Sequence, residues 1–179
     1  YRTENGKEIA SPSYPALNVI TNPAAVAGFK ISSMSDNSAN LTWNKVKSAE
    51  GYIIYQYNTS KKAWSRIAKT TTTANSFKVT NLNAGTKYQF AIRAYRTENG
   101  KEITSPSYPA LSVITKPATV TGFKVSTVSD NAVNLTWNKM KSAEGYIIYQ
   151  YNNTKNSWSR IAKTTTTVKS YKVTNLNAA

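Results

Sequence analysis

The side chains of this 179-residue sequence that could do chemistry are quickly counted, because it contains no histidine and no cysteine. That removes the usual general base, the triads built on these residues and nearly every zinc site. Eight carboxylates remain: Glu4, Glu8, Asp36 and Glu50, then Glu98, Glu102, Asp130 and Glu144. Glycoside hydrolysis needs two carboxylates facing one cleft, whereas these fall in turn segments or beside Lys and Arg. No Asp/Asn loop closed by a Glu has the pattern of a calcium site. The sequence thus reads as a non-enzyme without metal or cofactor. What is left is aromatic: Tyr55, Tyr57 and Trp64, with the spacing repeated at Tyr149, Tyr151 and Trp158. Flat rings on one surface suit stacking on sugars, and aromatic patches are also typical of protein contacts.

The element that must position these rings is a strand over Tyr52–Tyr57. If Tyr52 and Ile54 face a core, alternation puts Ile53, Tyr55 and Tyr57 on the other face. A hairpin over 58–62 then brings Trp64 beside them, and Ile147, Tyr149, Tyr151 and Trp158 repeat the arrangement. The result is an expected exposed stripe. Cross-strand packing that stiffens an edge hairpin, with Lys and Arg stems lying over the rings, produces the same pattern. Plain packing, protein contact and carbohydrate contact therefore stand as three readings of the stripe.

Around it the sequence reads as short strands separated by turn signals. Pro23 to Ser32 is the first, and Ala39, Leu41 and Trp43 share the buried face of the second. The third follows the turn 48–51, and strands around 64–69 and 76–80 come next. Tyr88, Phe90 and Ile92 alternate with Gln89, Ala91 and Arg93 in the sixth. Asn99-Gly100 signals a hairpin, and Ser107 to Thr115 is the last strand. Tyr, Trp, Thr, Val and Ile dominate these runs, with no sustained 3.6-residue period, so the class is all-β.

The whole pattern returns at an offset of 94 residues: Tyr1 to Ile9 recurs unchanged as Tyr95 to Ile103, and Trp43 as Trp137. Residues 1–85 and 95–179 differ at 19 positions, so 66 of 85 are identical. A period of this length is a whole small domain rather than a solenoid unit. The expected organisation is a C-terminal strand segment over 1–21, a complete module over 22–115, and a module lacking its last two strands over 116–179.

Charge is lopsided, 23 Lys+Arg against 8 Asp+Glu for a formal +15. Such an excess attracts polyanions at long range. The basic residues are nevertheless scattered, with no run that tracks a phosphate backbone and no zinc-finger or RNA-recognition signature, so specific nucleic-acid binding is not expected. No apolar stretch approaches the roughly 18 residues of a membrane span, and no targeting segment is visible. Asn-x-Thr/Ser triplets at Asn40, Asn58, Asn134 and Asn152 accept glycans only in a eukaryotic secretory setting.

The order of features resembles a fibronectin type III module. Pro23 with Gly28-Phe29 opens the first strand, Trp43 lies on the second and Gly51-Tyr52-Ile53-Ile54 on the third. Leu82-Asn83-Ala84-Gly85-Thr86-Lys87-Tyr88-Gln89-Phe90-Ala91-Ile92-Arg93-Ala94 is similar to the family's tyrosine corner and following core strand. The wording of the repeats is similar to tandem modules of secreted or cell-surface proteins of Gram-positive bacteria. The resemblance implies tandem seven-stranded, immunoglobulin-like sandwiches of two packed sheets, one complete and two partial. It also implies a core that includes Trp43, Tyr52, Ile54, Tyr88 and Phe90, with Trp137 in the second copy. No Arg-Gly-Asp tripeptide occurs.

The functional expectation is a structural, non-catalytic repeat segment (spacer, stalk or fibre) of an extracellular or cell-surface bacterial protein, with neighbouring modules as partners. One alternative is an adhesion module that binds cell-wall or host polysaccharide, or a protein, through the stripe. Another is a fibre subunit that exchanges strands with copies of itself. The partial ends favour a window from a longer array, completed by neighbouring sequence or adjacent chains.

Overall fold

The computed structural model describes residues 1–10, 20–106 and 108–176. Every regular element among them is a strand: β1 (Arg2–Glu4), β2 (Lys7–Ile9), β3 (Lys30–Met34), β4 (Ala39–Thr42), β5 (Gly51–Asn58), β6 (Ala63–Thr71), β7 (Ser76–Val79), β8 (Lys87–Glu98), β9 (Lys101–Thr104), β10 (Ala110–Ile114), β11 (Lys124–Ser129), β12 (Ala132–Thr136), β13 (Gly145–Asn152), β14 (Ser157–Thr165) and β15 (Ser170–Val173). No helix among the described residues is long and apolar enough to cross a membrane.

In the first copy, β3-β4-β7 form one antiparallel sheet and β10-β8-β5-β6 the other, with β9 paired to β8. The alternation of β4 turns Ala39 and Leu41 inward, and Trp43 follows at its end. They meet Tyr52, Ile54, Phe90 and Ile92 from the facing sheet, all buried in one cluster. Trp43 is 4% exposed; its ring lies 5.2 Å from that of Tyr52, whose hydroxyl accepts the Val46 N–H at 2.7 Å. Tyr88 is only half-buried, packed against the cluster's edge, and its hydroxyl accepts the Asn83 N–H at 2.8 Å. The turn before β8 is thereby tied to β8 itself.

Strand borders depart from the sequence reading in four places. Residues 23–29 are not in a strand, and pairing starts at Lys30. The sixth strand runs past Tyr95 to Glu98, because Asn99 and Gly100 both take positive φ (49° and 76°) and close a tight hairpin there. The last strand is consequently in two pieces, β9 and β10. For the same reason the segment over 1–21 opens with a hairpin rather than a single strand: β1 pairs with β2 from Arg2↔Ile9 to Glu4↔Lys7. These residues are the sequence equivalents of 96–98 and 101–103. The rest of that expected strand, 11–19, lies outside the described residues.

The second copy repeats β3-β4-β7 as β11-β12-β15, while β13 pairs with β14. Its smaller core is Trp137, Tyr146 and Ile148. With no third strand beside β13 among the described residues, Ile147, Tyr149, Tyr151 and Trp158 are all exposed, Trp158 to 67%.

Candidate functional site

The carboxylates are dispersed. Among the described residues no three of His, Cys, Asp or Glu gather as a metal site would need. Glu50 Oε2 accepts the Thr97 N–H at 3.0 Å, and Glu4 pairs with Arg2 on an exposed surface. Glu102 Oε2 accepts hydrogen bonds from Lys69 Nζ at 2.7 Å and Arg66 Nη2 at 3.0 Å. The Lys69 bond, seconded by Arg66 against the opposing effect of burial, holds the Glu102 carboxyl below its ordinary range. These contacts pin side chains at the surface.

The Glu102 contacts explain the outer face of the larger sheet. Glu102 is on β9, beyond β8, yet its partners are on β6, on the far side of β5. These ion pairs therefore cross the outer face of the sheet from β9 to β6. A bulge at Ile67, where the register shifts between Ile54 and Tyr55, puts Arg66 and Lys69 on one face although they are three apart. Ile53 lies on the same face, opposite Lys69 on one side and Arg93 on the other. It is 0% exposed, which corrects its assignment to an exposed stripe. Its counterpart Ile147, with only β14 beside its strand among the described residues, is 49% exposed.

The aromatic rings of the first copy do share that face, but half-buried rather than open. Tyr57 meets Trp64 edge-on at 5.4 Å. Trp64 meets Tyr108 edge-on at 5.7 Å, and Tyr55 lies 6.5 Å from Tyr108 at a tilt of 33°. The Arg93 guanidinium sits 4.6 Å over the Tyr108 ring and donates to Thr104 Oγ1 at 3.1 Å. Tyr55, Trp64, Arg93 and Tyr108 line a cup of about 210 Å³. Tyr108 and Arg93 were not legible as site residues. The available signal was the Ser-Pro-Ser-Tyr-Pro run: a tyrosine held extended before Pro109, in the segment that flanks the sixth strand. In the second copy Tyr151 and Trp158 keep the edge contact at 5.3 Å, without an enclosing partner among the described residues.

The joint between copies is the other built feature. Thr115, 2% exposed, donates its N–H to Thr86 O at 3.1 Å. Its hydroxyl accepts the Thr86 N–H at 2.9 Å and donates to Asn83 O at 2.6 Å. Lys116 N–H donates to Ser35 O, and Lys116 O accepts from Gly85 N, both at 3.1 Å. Two residues on, the Ala118 N–H reaches Ser142 Oγ of the second copy at 3.4 Å. Only Pro117, its φ fixed by the ring, stands between residues tied to opposite sides. Gly85 closes the joint: with φ +60°, it lies so near Ser142 that a Cβ would come 2.6 Å from the Ser142 carbonyl oxygen.

Two antiparallel sheets packed face to face, β3-β4-β7 against β10-β8-β5-β6, with a hydroxyl-anchored Tyr at the start of the penultimate strand, define an immunoglobulin-like β-sandwich. The profile described as Fibronectin type III domain matches residues 24–110. The chain is 31% identical over 186 residues to Exoglucanase B of Cellulomonas fimi, covering 96% of this chain and 15% of that protein. It is 32% identical over 124 residues to the receptor-type tyrosine-protein phosphatase eta of Gallus gallus, covering 68% of this chain and 8% of that one. A two fibronectin type-III domain segment from chicken tenascin superposes with a TM-score of 0.52 at 17% identity, over 86% of this chain and 84% of that one. Residues 24–110 match the fibronectin type III family, and the fold of the chain is a tandem of fibronectin type III-like sandwiches. It spans only a small part of either curated relative.

Proposed function

We propose that the chain is a non-catalytic spacer: a run of like modules, with borders near residues 21 and 115, that holds other parts of an extracellular or cell-surface bacterial protein at a set separation. The observation that carries this reading is the joint. A flexible tether needs a polar linker, which a Gly/Ser-rich sequence supplies. Here the last strand of one copy is hydrogen-bonded up to Lys116 and the next copy takes hold at Ala118. Near-identity of the copies supports the same reading, since a spacer uses one module many times. The match to a segment of a bacterial exoglucanase supports placement in a multidomain bacterial protein.

Recombinant arrays of two and four complete modules test the proposal by small-angle scattering. A spacer gives a maximum dimension that rises in proportion to module number. Compact particles whose dimension grows more slowly than that would remove it.

A further inference from the structure

We infer that the cup formed by Tyr55, Trp64, Arg93 and Tyr108 binds a carboxylate-bearing sugar unit of an acidic polysaccharide. The inference is independent of the spacer reading, because a module can both separate and adhere.

Three observations carry it. First, the rings leave an unfilled space of about 210 Å³. That is below the roughly 300 Å³ at which pockets for drug-sized ligands begin and suits one pyranose ring. Tyr and Trp rings offer apolar faces to the C–H side of a sugar, with a polar tip to bond its hydroxyls. Among the described residues no hydrogen bond engages the Tyr55 and Tyr108 hydroxyls or the Trp64 indole N–H.

Second, Arg93 has spare capacity of the right kind. A guanidinium carries five N–H donors in a planar fork that matches a carboxylate. One hydrogen bond goes to the neutral Thr104 hydroxyl, and Arg93 makes no ion pair among the described residues. Its place over the Tyr108 ring, 4.6 Å from the centroid, holds the guanidinium at the cup. On the same face Arg66 and Lys69 share the single carboxylate of Glu102. Three cations against one anion leave this face positive, in a chain already at +15. An anionic partner is thus drawn in and oriented, whereas a neutral glycan gains only the ring contacts.

Third, the aromatic line continues from the cup through Trp64 to Tyr57 along β6 and β5. A polymer can lay a neighbouring unit there. Tyr149, Tyr151 and Trp158 have no Arg and Tyr enclosing them, so among the described residues there is one such site.

Titration calorimetry of the full chain with hexagalacturonate, maltohexaose and poly-L-glutamate tests the inference. The expected result is saturable binding of hexagalacturonate at one site per chain, at least tenfold weaker for maltohexaose. Arg93→Gln and Tyr108→Leu should each weaken it tenfold or more, while the charge-matched Lys45→Gln leaves it unchanged. Unaltered far-UV circular dichroism confirms that each variant is folded, and Tyr108→Phe retains most of the affinity as a milder check. Equal binding of poly-L-glutamate with no effect of Tyr108→Leu would reduce the face to diffuse charge attraction and overturn the inference. Equal binding of maltohexaose untouched by Arg93→Gln would overturn the acidic specificity, and absence of hexagalacturonate binding would overturn the whole.

Discussion

Replacing Trp43 by Ala should remove most of the first module's stability. An aromatic side chain buries about 150–250 Å², which at about 25 cal/mol per Å² contributes about 4–6 kcal/mol. The tilted contact with Tyr52 adds about 0.5–1.5 kcal/mol. Against this, Trp43 Nε1 is buried with no hydrogen-bond partner, a loss of about 1–3 kcal/mol. The balance, about 1.5–6.5 kcal/mol, brackets the roughly 3–5 kcal/mol of measured truncations of buried aromatics and is a large share of the roughly 5–15 kcal/mol that holds a domain together. The same accounting separates Trp43→Phe, which keeps a ring against Tyr52 and discards the unpartnered N–H, so its loss stays below about 1.5 kcal/mol. Urea unfolding followed by far-UV circular dichroism reads both. A loss below about 1 kcal/mol for Trp43→Ala, or equal losses for Ala and Phe, would refute the reasoning.

Other expectations concern smaller contacts. Glu102→Gln should lower stability at pH 7 by about 0.2–1 kcal/mol, because the partners are more than a third exposed. Since the folded-state carboxyl titrates lower than the unfolded one, the wild-type advantage is complete above the unfolded value and disappears as pH falls through the folded one. Denaturation midpoints of both proteins from pH 7 to pH 2 measure it, and an advantage that grows on acidification would reverse the sign. Tyr88→Phe, which frees the Asn83 N–H, should lose about 0.5–1.5 kcal/mol in the same unfolding assay. Gly85→Asn tolerates the positive φ but adds a side chain toward Ser142; scattering should show a wider spread of shapes, with the unfolding midpoint of the first module little changed.

The parts legible in the sequence are those that depend on neighbours a few residues away. Ala39, Leu41 and Trp43 alternate on one strand, so their shared burial follows from backbone geometry alone. The hairpin at Asn99-Gly100 follows likewise from turn chemistry. The side of the sheet on which Ile53 lies was equally readable. Its burial was not, because it sits between Lys69 and Arg93 of two neighbouring strands, with Lys69 drawn to Glu102 of β9 and a bulge at Ile67 that no periodicity signals. Tyr108 escaped for a related reason: it stands in the break between β9 and β10, where there is no alternation to read. Gly85 looks like any turn glycine until Ser142 of the next copy is seen against it.

The spacer reading rests on a fixed joint, and a distance distribution across it is the most direct measurement. The chain has no native cysteine, so Lys78→Cys and Lys172→Cys, equivalent exposed positions on β7 and β15, can carry one spin label each. With Lys116 and Ala118 tied to opposite modules and only Pro117 between them, double electron–electron resonance should give a single narrow distance peak, broadened or shifted by Gly85→Asn. A broad distribution in the wild-type protein, unchanged by that substitution, would contradict the account.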